Sequence, residues 1–342
     1  MEAGSAMNTT QLLWQAAAPG NKRALPVLSF PAAQKIGVNV NELVHSARLQ
    51  ADAMTYVAQH TPTAAAVSLM DLSVEAEAFG CNVRFSEDEV PTVVGQLVGD
   101  ADAAEALQVP ALDKGRAPLC VEAMRLAKSR VQDRPVLAGV IGPFSLAGRL
   151  MDVTEILYTC YDEPEAVATV VEKAADYLIG YIRAFAGAGA DGVVMAEPLA
   201  GLLSPEMAEE FSCRAARRIV EAVQTEEFPV VYHNCGNITV AMLPRLQQIG
   251  AAAYHFGNSI SMKEFLEHAP SDMLCMGNID PAGEFAGGTP QSIRRATLEL
   301  LDECGAYANF VPSSGCDIPY HAKWENIDAF FAAVDDHNRG AR

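Results

Sequence analysis

Apolar positions along the chain fall into short continuous runs, separated by longer stretches in which they recur every three or four residues. The runs occupy 26–30, 66–70, 136–141, 192–196, 229–233, 252–256, 273–277 and 308–312. Near-continuous apolar character over so few residues suits parallel strands covered on both faces, because neither face then has to meet water. The stretches between them carry helical period. Val167, Val170, Val171, Ala174, Ala175, Leu178, Ile179 and Ile182 form one stripe, with Pro164 placed for the first turn. Ser204-Pro205 and Thr289-Pro290 have the form of a helix cap followed by its first residue, and Gly250 and Gly305 stand where helices stop. Eight strands alternating with helices predict an α/β fold, a closed (β/α)8 barrel of the TIM type. The interval between the second and third runs is about twice the usual βα unit, which predicts extra helices over 71–134. No GxGxxG turn follows the first run, which argues against an open dinucleotide-binding sheet. With no linker, repeat or low-complexity segment in view, residues 25–342 are expected to form one barrel domain behind a helical extension over 1–24.

Composition narrows the partners. Half of the 342 residues are apolar, enough for a large core, and the net charge is −19. Such an acidic surface repels phosphate backbones and anionic lipids, so neither nucleic acid nor a membrane is an expected partner. No apolar run approaches the ~18 residues that would span a bilayer, and the first ten residues lack the pattern of a signal peptide. Eight scattered cysteines do not make the dense framework of a secreted domain, and reduced thiols in the cytoplasm are expected.

In a parallel barrel the chemistry belongs at the carboxyl ends of the strands. The polar residues gather there: Asp71, Glu197, the segment His233-Asn-Cys-Gly-Asn237, His255 with Asn258, Asn278, and Cys316-Asp317. His233 and Cys235 are two residues apart and face the same way on an extended strand end. Cys316 arrives from the far side of a closed ring. One imidazole and two thiolates suit zinc, and three protein ligands leave the open position of a catalytic site. Against this stands the bland alternative, since cysteine often packs as a small buried hydrophobe. Asp71, Glu197 and His255 are the candidate catalytic groups; Asp71 better suits a helix cap, Glu197 suits a structural hydrogen bond as well as substrate contact, and His255 better suits the barrel wall. Asn237, Asn258 and Asn278 each follow a glycine, which suits turns, and are the candidates for contact with a bound cofactor. Asp317 is placed either to orient His233 or to cap the last helix.

These motifs, together with Asp71-Leu-Ser-Val-Glu-Ala-Glu-Ala-Phe-Gly-Cys81, Gly142-Pro-Phe-Ser-Leu-Ala-Gly148, Gly277-Asn-Ile-Asp-Pro281 and Gly315-Cys-Asp-Ile-Pro319, resemble the uroporphyrinogen-decarboxylase superfamily, specifically its methylcobamide:thiol methyltransferase branch. The resemblance runs from about Leu25 onward. It implies a zinc ion on His233, Cys235 and Cys316, a thiol acceptor such as coenzyme M, and a methylated corrinoid carried by a small partner protein. Some members of this branch place an acidic residue after the sixth strand, where this chain has His255-Phe-Gly-Asn258. That departure leaves the acceptor and the fourth ligand open, with tetrahydrofolate as an alternative acceptor. The true decarboxylases begin with an arginine-rich segment that grips a tetrapyrrole, whereas residues 24–47 here contain Lys35 as their one lysine or arginine. Decarboxylation of a tetrapyrrole is thus the lesser alternative. A cysteine enzyme using Cys235 with His233 as base, and a non-catalytic protein with a structural zinc, are the others.

Overall fold

The computed structural model describes residues 7–237 and 240–340. In chain order its strands are β1 (Ala66–Val67), β2 (Asn82–Arg84), β3 (Thr92–Val94), β4 (Val136–Ile141), β5 (Gly192–Ala196), β6 (Val230–Asn234), β7 (Ala253–Phe256), β8 (Cys275–Ile279) and β9 (Phe310–Ser314). Seven of them form one parallel sheet in the order β1-β4-β5-β6-β7-β8-β9, curled with helices outside it, as the apolar runs predict.

The first expected strand, 26–30, does not form regular ladder. Pro26 has no N–H to donate, and the segment instead bridges the two ends of the sheet with irregular bonds. Leu25 N donates to Pro312 O at 3.0 Å, Val27 N to Ser314 Oγ at 3.0 Å, and Ala64 N to Ala24 O at 2.8 Å. The ring is therefore closed between β9 and β1 by an extended segment, not by a ladder strand.

The strands are buried on both faces, and their side chains divide by parity. Leu137, Val194, Val231, Ala253, Met276 and Val311 pack together inside the barrel, while Ala138, Val193, Tyr232, Tyr254, Cys275 and Phe310 face the helical layer. The helix Thr9–Ala16 presents Leu13 and Ala16 to the interior cluster. Its start is held by a capping box between Asn8 and Gln11. Of the long helix Pro164–Gly187, Val167, Val170, Val171, Ala174, Ala175, Leu178 and Ile182 are buried as the stripe predicts, while Ile179 lies at its margin.

Between β1 and β4 stand the expected helices Val74–Phe79, Ala101–Ala106 and Ala117–Lys128, together with a hairpin, β2–β3, that the apolar pattern does not reveal. Its strands are three residues long and half-buried or exposed, too short for a period to register.

Candidate active site at the barrel mouth

Parity continues past the apolar layers. His233 follows Val231 on the interior face of β6, His255 follows Ala253 on β7, and Ser313 follows Val311 on β9. The register sets His233 beside His255, so three polar side chains form the interior layer nearest the mouth. All three are buried, and a buried polar layer must be hydrogen-bonded. The chain of bonds fixes every proton. Ser313 Oγ–H donates to Leu25 O at 2.6 Å, so it accepts from His255 Nε2–H at 2.8 Å. His255 Nδ1 is then an acceptor, and His233 Nδ1–H donates to it across 2.7 Å. His233 Nε2 is left with its lone pair, 3.4 Å from Cys316 Sγ. That is the nitrogen and the tautomer a metal ligand requires.

Cys235 follows the end of β6, and Cys316 follows β9 after Gly315. One donor atom from each of His233, Cys235 and Cys316 lies within 4.8 Å of the others. Tetrahedral zinc with ordinary bond lengths places nitrogen and sulfur ligands about 3.5 Å apart, and the His233 Nε2 to Cys316 Sγ separation of 3.4 Å matches that spacing. The hydrogen bond from Cys316 holds the Cys235 thiol well below its ordinary range, while Cys316 retains the shared proton and is held above its own. The tight seating of Cys235 depends on Gly257, where a Cβ would fall 2.5 Å from Cys235 O and 2.6 Å from its Cα.

His233 and Cys316 of the donor set border a cavity of about 310 Å³, within the usual small-molecule range. Met70, Leu72, Ala196 and Pro198 give it apolar walls, residues 90–93 of the hairpin form one side, and Ser73, His233, Cys316, Asp317 and Arg149 are its other polar lining residues. Arg149 stands on the helix Pro143–Met151, whose start is anchored by two buried carboxyls. Glu197 accepts from Ser145 N at 2.6 Å and Phe144 N at 3.0 Å, and Glu75 accepts from Ile141 N at 3.0 Å. Both carboxyls are pushed up to about 7, chiefly by burial, against the pull of these same backbone donors. Gly142 is obligatory at this corner, since a Cβ there would lie 2.5 Å from Glu197 Oε2.

The remaining candidates fall elsewhere. Glu197 lies beneath the cavity wall with its oxygens on backbone N–H groups. Asp71 accepts from Ser73 Oγ at 2.6 Å and pairs with Arg116, which also holds Glu77; it is part of a buried ion cluster outside the cavity. Both ring nitrogens of His255 are spent on His233 and Ser313, which leaves it no free ligand atom. Asn278 lies within β8, not after it, and donates to Gly257 O and Ile260 O. Asn237 and Asn258 are on exposed loops and form no part of the cavity wall. Asp317 accepts from Ser29 Oγ at 3.0 Å, while the hydrogen bonds of the His233 ring go to His255 and Cys316. The group behind His233 is His255 instead. Spacing along the chain singles out neither Ser313 nor Arg149. The strand parity that points His233 inward also marks Ser313, whereas Arg149 carries no such signal.

Known proteins resemble this chain over most of its length. A methylcobamide:CoM methyltransferase MtbA from Methanosarcina acetivorans is 26% identical over 236 residues, covering 68% of this chain and 69% of that protein. A uroporphyrinogen decarboxylase from Neisseria meningitidis is 27% identical over 286 residues, 80% of this chain and 79% of its own. Among solved structures, a methyltransferase from Methanosarcina mazei superposes with a TM-score of 0.84 at 23% identity, covering 97% of this chain and 99% of that one. A putative vitamin-B12-independent methionine synthase from Listeria monocytogenes shares the fold more distantly, with a TM-score of 0.59. Residues 23–337 match the pattern of the uroporphyrinogen decarboxylase (URO-D) family, and the chain belongs to that family.

Proposed function

We propose that this protein is a zinc-dependent methyltransferase that moves a methyl group from a corrinoid, carried by a small partner protein, to a small thiol such as coenzyme M. The observation that carries the reading is the convergence of one donor atom each from His233, Cys235 and Cys316, with His233 and Cys316 at the wall of a small cavity and the imidazole tautomer already set. His233, Cys235 and Cys316 would hold the zinc, which would supply the Lewis acidity that favours the thiolate form of an acceptor thiol at neutral pH. The thiol proton leaves to solvent. The thiolate sulfur forms the new C–S bond while the cobalt–carbon bond breaks, its electron pair staying with cobalt.

The chain's own contribution is binding and orientation. His255 and Ser313 keep the His233 lone pair aimed at the metal position. Met70, Leu72, Ala196 and Pro198 exclude water around the acceptor. The cavity's size also weighs against decarboxylation of a tetrapyrrole. Arg149 is its one lysine or arginine, and Lys35 lies over the Trp324 ring instead, so a heavily carboxylated substrate would go largely unpaired.

Purified protein is expected to hold about one zinc, with three ligands and one open position. Cys235→Ala and Cys316→Ala should each lose most of it by elemental analysis. Demethylation of methylcobalamin should need both zinc and thiol, and tetrahydrofolate belongs in the same assay as a rival acceptor. Full zinc retention by both cysteine variants, or turnover of uroporphyrinogen by zinc-free protein, would overturn the reading.

A further inference from the structure

Of the eight cysteines, Cys235 and Cys316 are the two that the fold gathers into one cluster at the barrel mouth. Both are half-buried, and their donor atoms lie within 4.8 Å of each other and of a ring nitrogen of His233. Cys316 also lines the cavity, so a small solute that enters there reaches the pair. The other six, Cys81, Cys120, Cys160, Cys213, Cys275 and Cys304, stand on different elements. Burial holds their thiols protonated: Cys81 is pushed up to about 11, and Cys120, Cys160, Cys213 and Cys304 to about 12. A thiol kept protonated reacts sluggishly with oxidants.

The backbone around each member of the pair is fixed. Ser259 Oγ lies within hydrogen-bond distance of Cys235 O and Gly236 O, at 3.2 and 2.7 Å, and Gly257 packs directly on the Cys235 backbone. Around Cys316, Gly315 N donates to Ile279 O at 2.7 Å and Ile318 N to Val27 O at 3.0 Å. Two thiols held so near by a rigid frame have a high effective concentration for each other, because little chain entropy is lost when they join. Zinc would set the two sulfurs about 3.8 Å apart, through two Zn–S bonds of ~2.3 Å, whereas a disulfide sets them at ~2.05 Å. Rotation of the side chains about Cα–Cβ makes that change and leaves the strand ends in place. The two states exclude each other, since the metal ligand is a thiolate and a disulfide sulfur is not.

We propose that Cys235 and Cys316 are a redox modification site: hydrogen peroxide joins them as a disulfide in the metal-free protein, and the disulfide keeps zinc out until a thiol reductant reopens the site. The inference rests on the zinc site proposed above and adds its regulation. One thiol attacks the peroxide O–O bond, becoming a sulfenic acid and releasing water. The other thiol displaces the sulfenic hydroxyl, which leaves with a proton as a second water while the S–S bond forms. Two thiol protons and two electrons thus pass to one peroxide. Reduction returns both thiols and oxidises two molecules of an external thiol to their disulfide. A sulfenic acid without a thiol partner goes on to the irreversible sulfinic acid. Here the second cysteine is near enough to intercept it, so the site is protected as well as switched.

The test treats the full-length protein, reduced and stripped of metal by a chelator, with one equivalent of hydrogen peroxide. Thiol counts after denaturation should fall from eight to six. Peptide mass mapping should find Cys235 joined to Cys316, two hydrogens lighter than the sum of the reduced peptides. Competition with a chromophoric chelator should then show loss of the zinc, about one per chain, that the reduced protein takes up. Dithiothreitol should restore both that zinc and the eight thiols. Cys316→Ser should leave Cys235 without its partner, so that peroxide adds oxygen there in place of a crosslink; should that variant fail to fold, the wild-type map decides. Oxidation of the pair to sulfinic acid, a disulfide between other cysteines in place of this one, or undiminished zinc uptake by the disulfide form would overturn the switch and leave the zinc reading standing. No zinc uptake by the reduced protein would overturn both.

Discussion

At the scale of single residues, the site is a set of proton positions as much as a set of atoms. The lone pair of His233 Nε2 is available because its other nitrogen keeps its proton and donates a hydrogen bond to His255, which is itself oriented by Ser313 and, through it, by the carbonyl of Leu25. Removing the relay should therefore weaken metal binding without touching a ligand. His255→Ala is expected to lower zinc affinity by roughly 10–100-fold, the usual cost of losing a partner behind a metal-bound histidine. Competition against a chromophoric chelator measures it, and wild-type affinity in a folded variant would show the relay to be idle. The three candidate ligands are legible in the sequence, because a His–x–Cys pair on a strand end shares one face. The relay is not, since it needs the register of β6 against β7 and the bridging position of Leu25, neither of which is written in spacing. Arg149 is hidden for a different reason: whether a helical arginine meets solvent or a cavity depends on how its helix docks.

At the scale of elements, the corner between β4 and the helix Pro143–Met151 is the joint on which the cavity depends. Gly142 N donates to Ala196 O at 2.6 Å, and the next N–H groups turn onto Glu197. Without these partners the first-turn donors would be buried and unsatisfied. Glu197→Ala should cost about 2–4 kcal/mol, from two orphaned N–H groups and a small void. Gly142→Ala should cost about 1–3 kcal/mol by overpacking against the same carboxyl. Denaturant unfolding reads both, and a loss below about 0.5 kcal/mol, the ordinary range of surface substitutions, would contradict this account of the joint. Most strands are legible in the sequence because burial on both faces writes them as apolar runs; β4 and β5 match theirs end to end. The runs misplace β8 and β9 by two residues, since polar Asn278, Ser313 and Ser314 still hold ladder positions inside the mouth. The segment 26–30 reads as a strand because apolar character shows burial, while its proline forbids the ladder.

At the scale of the whole molecule, the acidic balance and the buried carboxyls both bear on how stability changes with pH, and they can be separated. The surface effect comes from net charge −19, is long-ranged, and is screened as salt is added. The buried effect comes from Glu75 and Glu197, each held in the fold at about 7 against an unfolded value near ~4.3, and from Asp317, held by burial at about 8. A folded pKa above the unfolded one means that the folded state binds the extra proton. For the two glutamates the stabilising contribution is thus fully present below ~4.3 and is lost as pH rises through about 7. Within that window each carboxyl contributes a slope of at most about 1.4 kcal/mol per pH unit, falling toward both ends. His255 opposes it: burial holds its imidazole well below the ordinary value, so its contribution is lost as pH falls through ~6.5 and beyond. The raw profile of wild type therefore mixes signs, and the informative quantity is a difference between proteins. Unfolding free energy should be measured by urea from pH 5 to 8 in high salt and chelator, which removes the surface and metal contributions. Glu75→Gln and Glu197→Gln should each show a shallower decline with rising pH than wild type, and the double variant should show the shallowest. Glu75→Gln is the cleaner arm, because Glu75 Oε1 accepts from one backbone N–H and an amide oxygen can replace it there. Profiles that run parallel to wild type across the whole range would mean that these two carboxyls titrate alike in the folded and unfolded chain. Their burial would then have to be compensated by the backbone donors of the β4 corner, and the anchoring of the Arg149 helix would rest on ionised groups.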